Sequence, residues 1–129
     1  MKGKKTFSSS RAPEAQGPYS QAVIHNGLLY ISGQIPIDPV SGLLVRATIE
    51  EETESVLNNI RGIVEDAGAR MEDVLKVACY LADMNDFERF NAVYEKYFPE
   101  NPPARTSFQV ARLPLDVHIE IDAITALPG

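Results

Sequence analysis

Hydrophobic residues recur at helical spacing between positions 49 and 67, which predicts a first amphipathic helix. Thr48 precedes this run, where its hydroxyl can cap the helix while Glu51 reaches back, an arrangement called a capping box. Gly68 follows the run and can take the left-handed conformation that ends a helix. We interpret the acidic residues of the first turns as a solvated face that the helix dipole favours. They are Glu50, Glu51, Glu52 and Glu54.

A second helical pattern starts near Asn85 or Asp86, where Glu88 is placed to complete a cap, and it ends before Pro99. Its apolar stripe is aromatic and consists of Phe87, Phe90, Tyr94, Tyr97 and Phe98. Asn91 lies one turn after Phe87, at the edge of this stripe. An amide in that position must find hydrogen-bond partners or reach solvent.

The remaining apolar runs predict strands near Phe7 and at 22–25, 28–32, 74–82, 106–110 and 117–124. Asn26-Gly27 between two of them is a strong signal for a tight hairpin. The order of strands and helices predicts one α+β domain over residues 1–129, with two helices packed on one face of a single sheet. We expect about the first five residues to be disordered.

Positions 77–82 are apolar on both faces of their predicted strand. Two helices cover one face of a sheet, so the second face needs cover from another source. Another subunit can provide that cover. We therefore predict a homo-oligomer.

The net charge of −6 is unevenly spread along the 129 residues. The first eleven residues hold four of the twelve basic residues and no acid, which leaves a charge of −10 on the remainder. Because so acidic a body is a poor partner for phosphate backbones or anionic membranes, we predict neither partner. No apolar run approaches the ~20 residues of a membrane span. These features predict a soluble, cytoplasmic protein.

Metal and nucleotide chemistry find little support in the sequence. No phosphate-binding loop, dinucleotide fingerprint or metalloprotease helix is present. His25 and His118 are too few for most histidine-based sites, and the single Cys79 excludes a cysteine-rich zinc site. We interpret His118 as a solvated residue and Cys79 as part of the core. The sequence thus predicts no metal and no cofactor.

Arg105 is the first candidate for binding chemistry. It lies between Pro102-Pro103, which stiffen the backbone, and a predicted strand. A guanidinium held by rigid backbone suits bidentate capture of a carboxylate or phosphate. The alternative is an arginine paired with a surface acid.

Glu120 and Tyr19 allow two interpretations each. Glu120 lies on an alternating strand, where it is either a solvated residue or a carboxylate that positions or deprotonates water. Tyr19 is either an aromatic residue that anchors a loop or a phenol that faces a pocket.

Six motifs occur in an order typical of one family. They are residues 17–22 (GPYSQA), 31–34 (ISGQ), the helix containing Asn91, 103–107 (PARTS), 111–114 (ARLP) and 119–121 (IEI). In this order and spacing the chain resembles the RidA family of reactive-intermediate imine deaminases. That family is also called the translation-inhibitor or endoribonuclease-like family.

The resemblance implies a chorismate-mutase-like α+β fold, a homotrimer and pockets between adjacent subunits. It also implies cofactor-free hydrolysis of 2-iminobutanoate and 2-iminopropanoate, which arise from enamines such as 2-aminoacrylate, to 2-oxo acids and ammonia. In this scheme Arg105 binds the substrate carboxylate and Glu120 positions water. The resemblance further implies that the substrate is contacted by Tyr19, Ser32, Asn91 and the backbone at Ser107. Many deaminating members carry cysteine where this chain has Ser107, so this chain cannot use a thiol at that position.

Two other functions are compatible with the sequence. One is RNA cleavage with inhibition of translation, which the basic N-terminal end motivates and the acidic body opposes. The other is a non-catalytic protein that binds a small carboxylate or acts as a chaperone.

Overall fold

Six strands form one mixed sheet in the computed structural model, which describes residues 3–129. The elements are β1 Lys5–Phe7, β2 Ala22–His25, β3 Leu28–Gln34, α1 Ile49–Asp66, β4 Val74–Leu81, α2 Phe87–Tyr97, β5 Ala104–Gln109 and β6 Ile119–Ala126. The strand order is β1-β2-β3-β6-β4-β5. Neighbouring strands are antiparallel except β4 and β5, which are parallel and connected through α2. The predicted α+β architecture is confirmed.

The N-terminal end is ordered earlier in the chain than predicted. Lys5 begins β1 and pairs with Ile24 of β2. Pairing to a neighbouring strand satisfies its backbone, so the expected disorder is wrong for Lys5. Residues 1 and 2, which belong to the same prediction, lie outside the described residues.

Local chemistry fixes several element boundaries as the sequence predicts. The Thr48 hydroxyl accepts a hydrogen bond from the Glu51 backbone at 3.2 Å at the start of α1. Gly68 follows α1 with a φ of +94°. The β2–β3 hairpin turns at Asn26 and Gly27, which have φ values of 51° and 77°. A type I′ hairpin requires such positive φ values at both central residues.

The cap of α2 differs from the prediction. A short 3₁₀ turn precedes the helix, and the Asp83 carboxylate accepts a hydrogen bond from the Asn85 backbone at 2.9 Å. Within the described chain, no side chain caps α2 at Asp86. The 3₁₀ turn runs directly into α2, so the predicted cap that Glu88 would complete is not observed.

Both helices pack on the same face of the sheet. Alternate residues of β3, β4 and β6 point toward them and are fully buried. The centre of this core consists of Leu29, Val56, Leu57, Ile60, Ile63, Val77, Leu81, Phe90, Ile119 and Ile121. Cys79 is buried in the same cluster, so its predicted place in the core is confirmed.

One acidic residue of α1 is buried, contrary to the prediction of a solvated run. Glu52 shares the inward stripe of the helix with Val56 and is only 2% exposed. Its carboxylate accepts a hydrogen bond from the His118 backbone at 2.8 Å and contacts His118 Nδ1 at 2.5 Å. His118 is exposed, as predicted, but its ring and backbone also contact this buried carboxylate and so contribute to its burial without loss of polar partners.

The other face of the sheet is open in the described chain. Tyr30 and Phe108 are exposed there, while Tyr80 and Ile124 are half-buried. Strand pairing places these four side chains on one face, because Tyr30 lies opposite Ile124 and Tyr80 lies beside Phe108. This aromatic and apolar surface lies on the second face of the sheet, which we predicted to need cover from another subunit.

Candidate functional site

Arg105 lies on the helix-covered face of the edge strand β5. Its partner across the parallel pair is Val77, a core residue, so the arginine side chain points under α2. The guanidinium carbon lies 4.7 Å from the ring centre of Tyr94, 5.4 Å from Phe87 and 5.7 Å from Phe90. We call these three rings the aromatic cage. They attract a cation by their negative ring faces.

Asn91 completes the surroundings of Arg105. Its side-chain oxygen accepts a hydrogen bond of 2.8 Å from Arg105 Nη1. The cage and Asn91 all belong to α2, and their spacing of three, four and seven residues from Phe87 puts them on one side of the helix. The edge amide of the aromatic stripe thus finds its partner in the arginine.

Within residues 3–129, no carboxylate lies within 4.0 Å of the Arg105 guanidinium. Glu95 borders the same cleft, together with Pro102 and Pro103, and forms no ion pair with it. The alternative of an arginine paired with a surface acid is therefore wrong for the described chain. A half-buried guanidinium with N–H groups left over can bind an incoming anion.

Ser107 lies two residues further along β5 on the same face. Its hydroxyl is buried beside the Cys79 thiol, but it has no hydrogen bond of normal geometry in the described chain. Burial raises the pKa of Cys79 to about 12, although Arg105 and Ser107 oppose the shift. The thiol therefore stays protonated at neutral pH, as expected of a core cysteine.

Glu120 lies on the open face of β6, opposite Tyr80 of β4. It is half-buried, and its pKa is raised, first by burial and second by the nearby carboxylate of Asp122. Asp122 accepts a hydrogen bond of 2.8 Å from the Tyr80 hydroxyl, which with burial raises the pKa of Tyr80 to about 12. A carboxylate with a raised pKa is a stronger base once it is ionised.

Tyr19, Ser32 and Glu120 line one cleft of about 520 Å³, which we call the Glu120 cleft. Tyr19 is half-exposed, and its hydroxyl accepts a hydrogen bond from the Gln16 backbone at 3.2 Å. Ser32 donates to the Ser20 carbonyl at 2.6 Å. Tyr19 therefore both anchors its loop and faces a pocket, which joins the two interpretations of this residue.

Gly33 sets the position of Glu120. A Cβ atom on Gly33 would overlap the Glu120 carboxylate. The Glu120 side chain can therefore lie against the backbone of residue 33 only because that residue is glycine. The β3–β6 pairing also shifts register between Ile31 and Gln34, which marks an irregular point in the strand. A glycine inside a strand pattern is a sequence signal for such close approach, but Gly33 is not among the site residues predicted from the sequence.

The structure brings the predicted site residues together in two groups. Tyr19, Ser32 and Glu120 share the Glu120 cleft. Asn91, Arg105 and Ser107 lie on the opposite face at the β5 edge. The two groups do not meet within one chain.

Neither a cluster of metal ligands nor a helix able to cross a membrane occurs in the part of the chain that the structure describes. Within 3–129, no group of three or more His, Cys, Asp or Glu side chains is placed to hold a metal ion. In that same range, no helix combines the length and apolar character needed to cross a membrane.

Known proteins resemble this chain over nearly its whole length. The family model described as Endoribonuclease L-PSP matches residues 9–127. A RutC family protein of Pyrococcus horikoshii is 50% identical over 121 residues, covering 94% of this chain and 96% of that protein. Human 2-iminobutanoate/2-iminopropanoate deaminase is 46% identical over 121 residues, covering 94% of this chain and 88% of that protein. The chain belongs to the RidA family.

Solved structures agree with this membership. The E. coli protein TdcF, solved with bound serine, superposes on this RidA-family chain with a TM-score of 0.91 at 38% identity. The match covers 96% of this chain and 99% of the TdcF chain. The RidA-like fold predicted from the six motifs is confirmed.

Proposed function

We propose that this RidA-family protein hydrolyses 2-imino acids, 2-iminobutanoate and 2-iminopropanoate among them, to 2-oxo acids and ammonia. The observation that carries the proposal is the Arg105 guanidinium, which is held by the aromatic cage and Asn91 but paired with no carboxylate in the described chain. A fixed cation with free donors suits the carboxylate of such a substrate. The name of the human relative supports the same reaction.

The active unit in this proposal is a homotrimer whose sites lie between subunits. Arg105 and Glu120 occupy opposite faces of one sheet, so a single chain supplies two half-sites. The open face with Tyr30, Tyr80 and Phe108 offers the apolar surface that a neighbouring copy would cover. Docking the β5 edge of one copy near the Glu120 cleft of the next would complete a site.

The chemistry needs a proton acceptor and a held substrate. Arg105 binds the carboxylate of the protonated imine, which fixes C2 near Glu120. Glu120 accepts a proton from water while the water oxygen bonds to C2 and the C=N π electrons move to nitrogen. Glu120 then returns the proton to nitrogen and the C–N bond breaks. The remaining hydroxyl loses its proton to the departing ammonia, which leaves the 2-oxo acid and an ammonium ion.

The other site residues shape this pocket. Asn91 orients Arg105 through its hydrogen bond, and the backbone at Ser107 extends the same half-site toward the substrate. Tyr19 and Ser32 border the Glu120 half-site. No thiol takes part, because the nearby Cys79 is buried with a pKa raised to about 12.

The test generates the imine with an amino-acid oxidase and follows its disappearance. Arg105→Ala should lower kcat/KM by roughly 10- to 100-fold, the loss expected for a charge-assisted hydrogen-bonded pair. Arg105→Lys should recover part of it, since lysine keeps the charge but loses the planar fork. Arg70→Ala, at an exposed arginine, is the matched control and should leave the rate unchanged.

Three results would contradict the proposal. One is a rate with wild-type protein equal to spontaneous hydrolysis, and another is full activity of Arg105→Ala. The third is tight binding of 2-oxobutanoate without any turnover of its imine, which would favour a carboxylate-binding protein. RNA cleavage by the purified protein, with binding weakened by salt, would instead support the endoribonuclease named in the family description.

A further inference from the structure

The turn at residues 113–117 holds a leucine in a conformation that leucine rarely adopts. Leu115 has φ 56° and ψ 18°, and Asp116 after it has φ 56°. Glycine and asparagine take left-handed conformations readily, whereas a leucine there is strained by its Cβ. Leucine at this position goes against the preference of left-handed turn positions for glycine or asparagine.

Two arginines hold this turn in place. Arg112 forms a bidentate pair with Asp116, with N–O distances of 2.7 and 3.1 Å. Arg46 donates a hydrogen bond of 3.3 Å to the Leu115 carbonyl. The Asp116 backbone also donates to the Leu113 carbonyl at 3.0 Å. Strained residues persist when their surroundings over-determine them, and they concentrate at functional sites.

The Leu115 side chain borders the Glu120 cleft. It is 57% exposed, and it lies with Pro114, Ile35 and Ile37 among the residues that line the cleft. We call these four apolar residues, which line the same cleft as Glu120, the apolar wall. The left-handed turn thus puts the Leu115 side chain in the cleft where the proposed reaction occurs.

We propose that Leu115 is a specificity-determining residue whose side chain contacts the apolar side chain of a 2-imino acid. This inference rests on the proposed function. In this proposal C2 lies beside Glu120, and its substituent contacts the apolar wall, which lines the same cleft. An isobutyl group offers more apolar surface to Leu115 than a methyl group does, so it should gain more from this contact. Among 2-imino acids, this wall therefore favours those with larger apolar side chains.

The experiment measures binding of stable 2-oxo acids, pyruvate and 4-methyl-2-oxopentanoate, by calorimetry, together with turnover of the matching imines. Leu115→Ala should weaken 4-methyl-2-oxopentanoate roughly tenfold and pyruvate by less than about twofold, as expected for lost apolar contact. Leu115→Gly should lose the same selectivity and melt at a higher temperature than Leu115→Ala, because glycine relieves the left-handed strain.

Leu43→Ala is the matched control. Leu43 is also exposed, at 67%, and it stands outside the set of residues that line the Glu120 cleft. Its replacement should leave the ratio of the two affinities unchanged. An equal loss in Leu43→Ala would overturn the inference.

The outcomes separate this inference from the proposed function. Selective loss of 4-methyl-2-oxopentanoate binding without turnover of any imine supports the role of Leu115 and refutes the deaminase. Normal turnover with an unchanged affinity ratio in Leu115→Ala refutes the role of Leu115 alone. Equal loss of both ligands with a smaller particle mass by light scattering assigns Leu115 to a subunit contact and also refutes the inference.

Discussion

Arg105 and Glu120 lie on opposite faces of the same sheet, with strand β4 between their strands. Arg105 is in register with the core residue Val77, whereas Glu120 is in register with Tyr80 on the open face. Two side chains arranged in this way cannot close on one small molecule without another chain. A shared site between identical subunits follows if both residues act on one substrate.

This arrangement predicts complementation between two inactive variants. Arg105→Ala and Glu120→Gln should each lose most activity, because each lacks one half of every site. If the subunits form the proposed trimer, each mixed trimer should have about one functional site in three. The whole population from equal co-expression, which includes inactive unmixed trimers, should therefore regain about one quarter of wild-type activity. Imine turnover by the purified mixture measures this. Absence of any recovery in confirmed mixed trimers would place both residues in one chain's site.

The aromatic cage predicts a difference between two changes at Tyr94. The Tyr94 hydroxyl is buried without a hydrogen-bond partner in the described chain, so Tyr94→Phe should preserve both stability and turnover. Tyr94→Leu removes the ring closest to the guanidinium and should raise KM about fivefold, the loss of about 1 kcal/mol of cation–π attraction.

Phe98→Leu is the control for lost packing. Phe98 is as buried as Tyr94 and packs on it at 4.9 Å between ring centres, but it is not one of the three cage rings. Its replacement should lower the melting temperature without the rise in KM. Steady-state kinetics and thermal unfolding on the three variants decide the matter, and a similar KM in all three would exclude the cage from substrate binding.

The raised pKa of Glu120 predicts the acid limb of the pH profile. If the ionised Glu120 carboxylate is the base of the proposed reaction, kcat/KM should rise with pH through a pKa above the ordinary glutamate value of 4.5. Asp122→Asn removes the second cause of the shift and should move this limb to lower pH, while burial keeps the pKa above that of a solvated glutamate. Asparagine retains an oxygen that can accept from Tyr80. An acid limb unmoved by Asp122→Asn would show that another group titrates.

The same shift has a consequence for stability. Because the folded-state pKa of Glu120 is raised, its protonated form favours folding at low pH, and this contribution is lost as pH rises through the folded pKa. At neutral pH the ionised Glu120 destabilises the folded state, and Asp122→Asn reduces this destabilisation because it removes the neighbouring negative charge. Unfolding in denaturant measures the free energy of unfolding at neutral pH and at pH 4. The increase of Asp122→Asn over wild type should be larger at neutral pH.

Features that depend on local chemistry could be predicted from the sequence. Thr48 caps α1 and Asn26-Gly27 turns the hairpin, because each uses only its own side chain, backbone freedom and near neighbours. Glu52 shows the limit. It is one of four acids in the run, and its burial depends on which stripe of α1 meets the sheet and on the partner His118 far along the chain.

The sequence names the candidate site residues as a set but does not predict their arrangement. The spacing of Phe87, Phe90 and Tyr94 indicates an apolar stripe, and only the parallel pairing of β4 with β5 places Arg105 beneath it. The alternation around Glu120 indicates a polar face. Which other residues share that face depends on strand register, which the alternation of a single strand does not contain.

Gly33 predicts a separation of activity from stability. A Cβ atom at this position would meet the flexible end of Glu120, so Gly33→Ala should displace the carboxylate and lower kcat/KM by about tenfold or more while changing the melting temperature little. Gly27→Ala should do the opposite. Gly27 has a φ of +77° and open space around it, so alanine there is strained and should cost about 1 kcal/mol of stability without affecting turnover.

A double variant tests whether Gly33 acts through Glu120. If the glycine serves only to seat that carboxylate, adding Gly33→Ala to Glu120→Gln should reduce activity little beyond Glu120→Gln alone. Fully multiplicative losses would mean that Gly33 acts on the substrate or the strand independently. Because both residues line the same cleft, the coupling measured in this cycle reports directly on how the backbone of β3 positions the Glu120 carboxylate of β6.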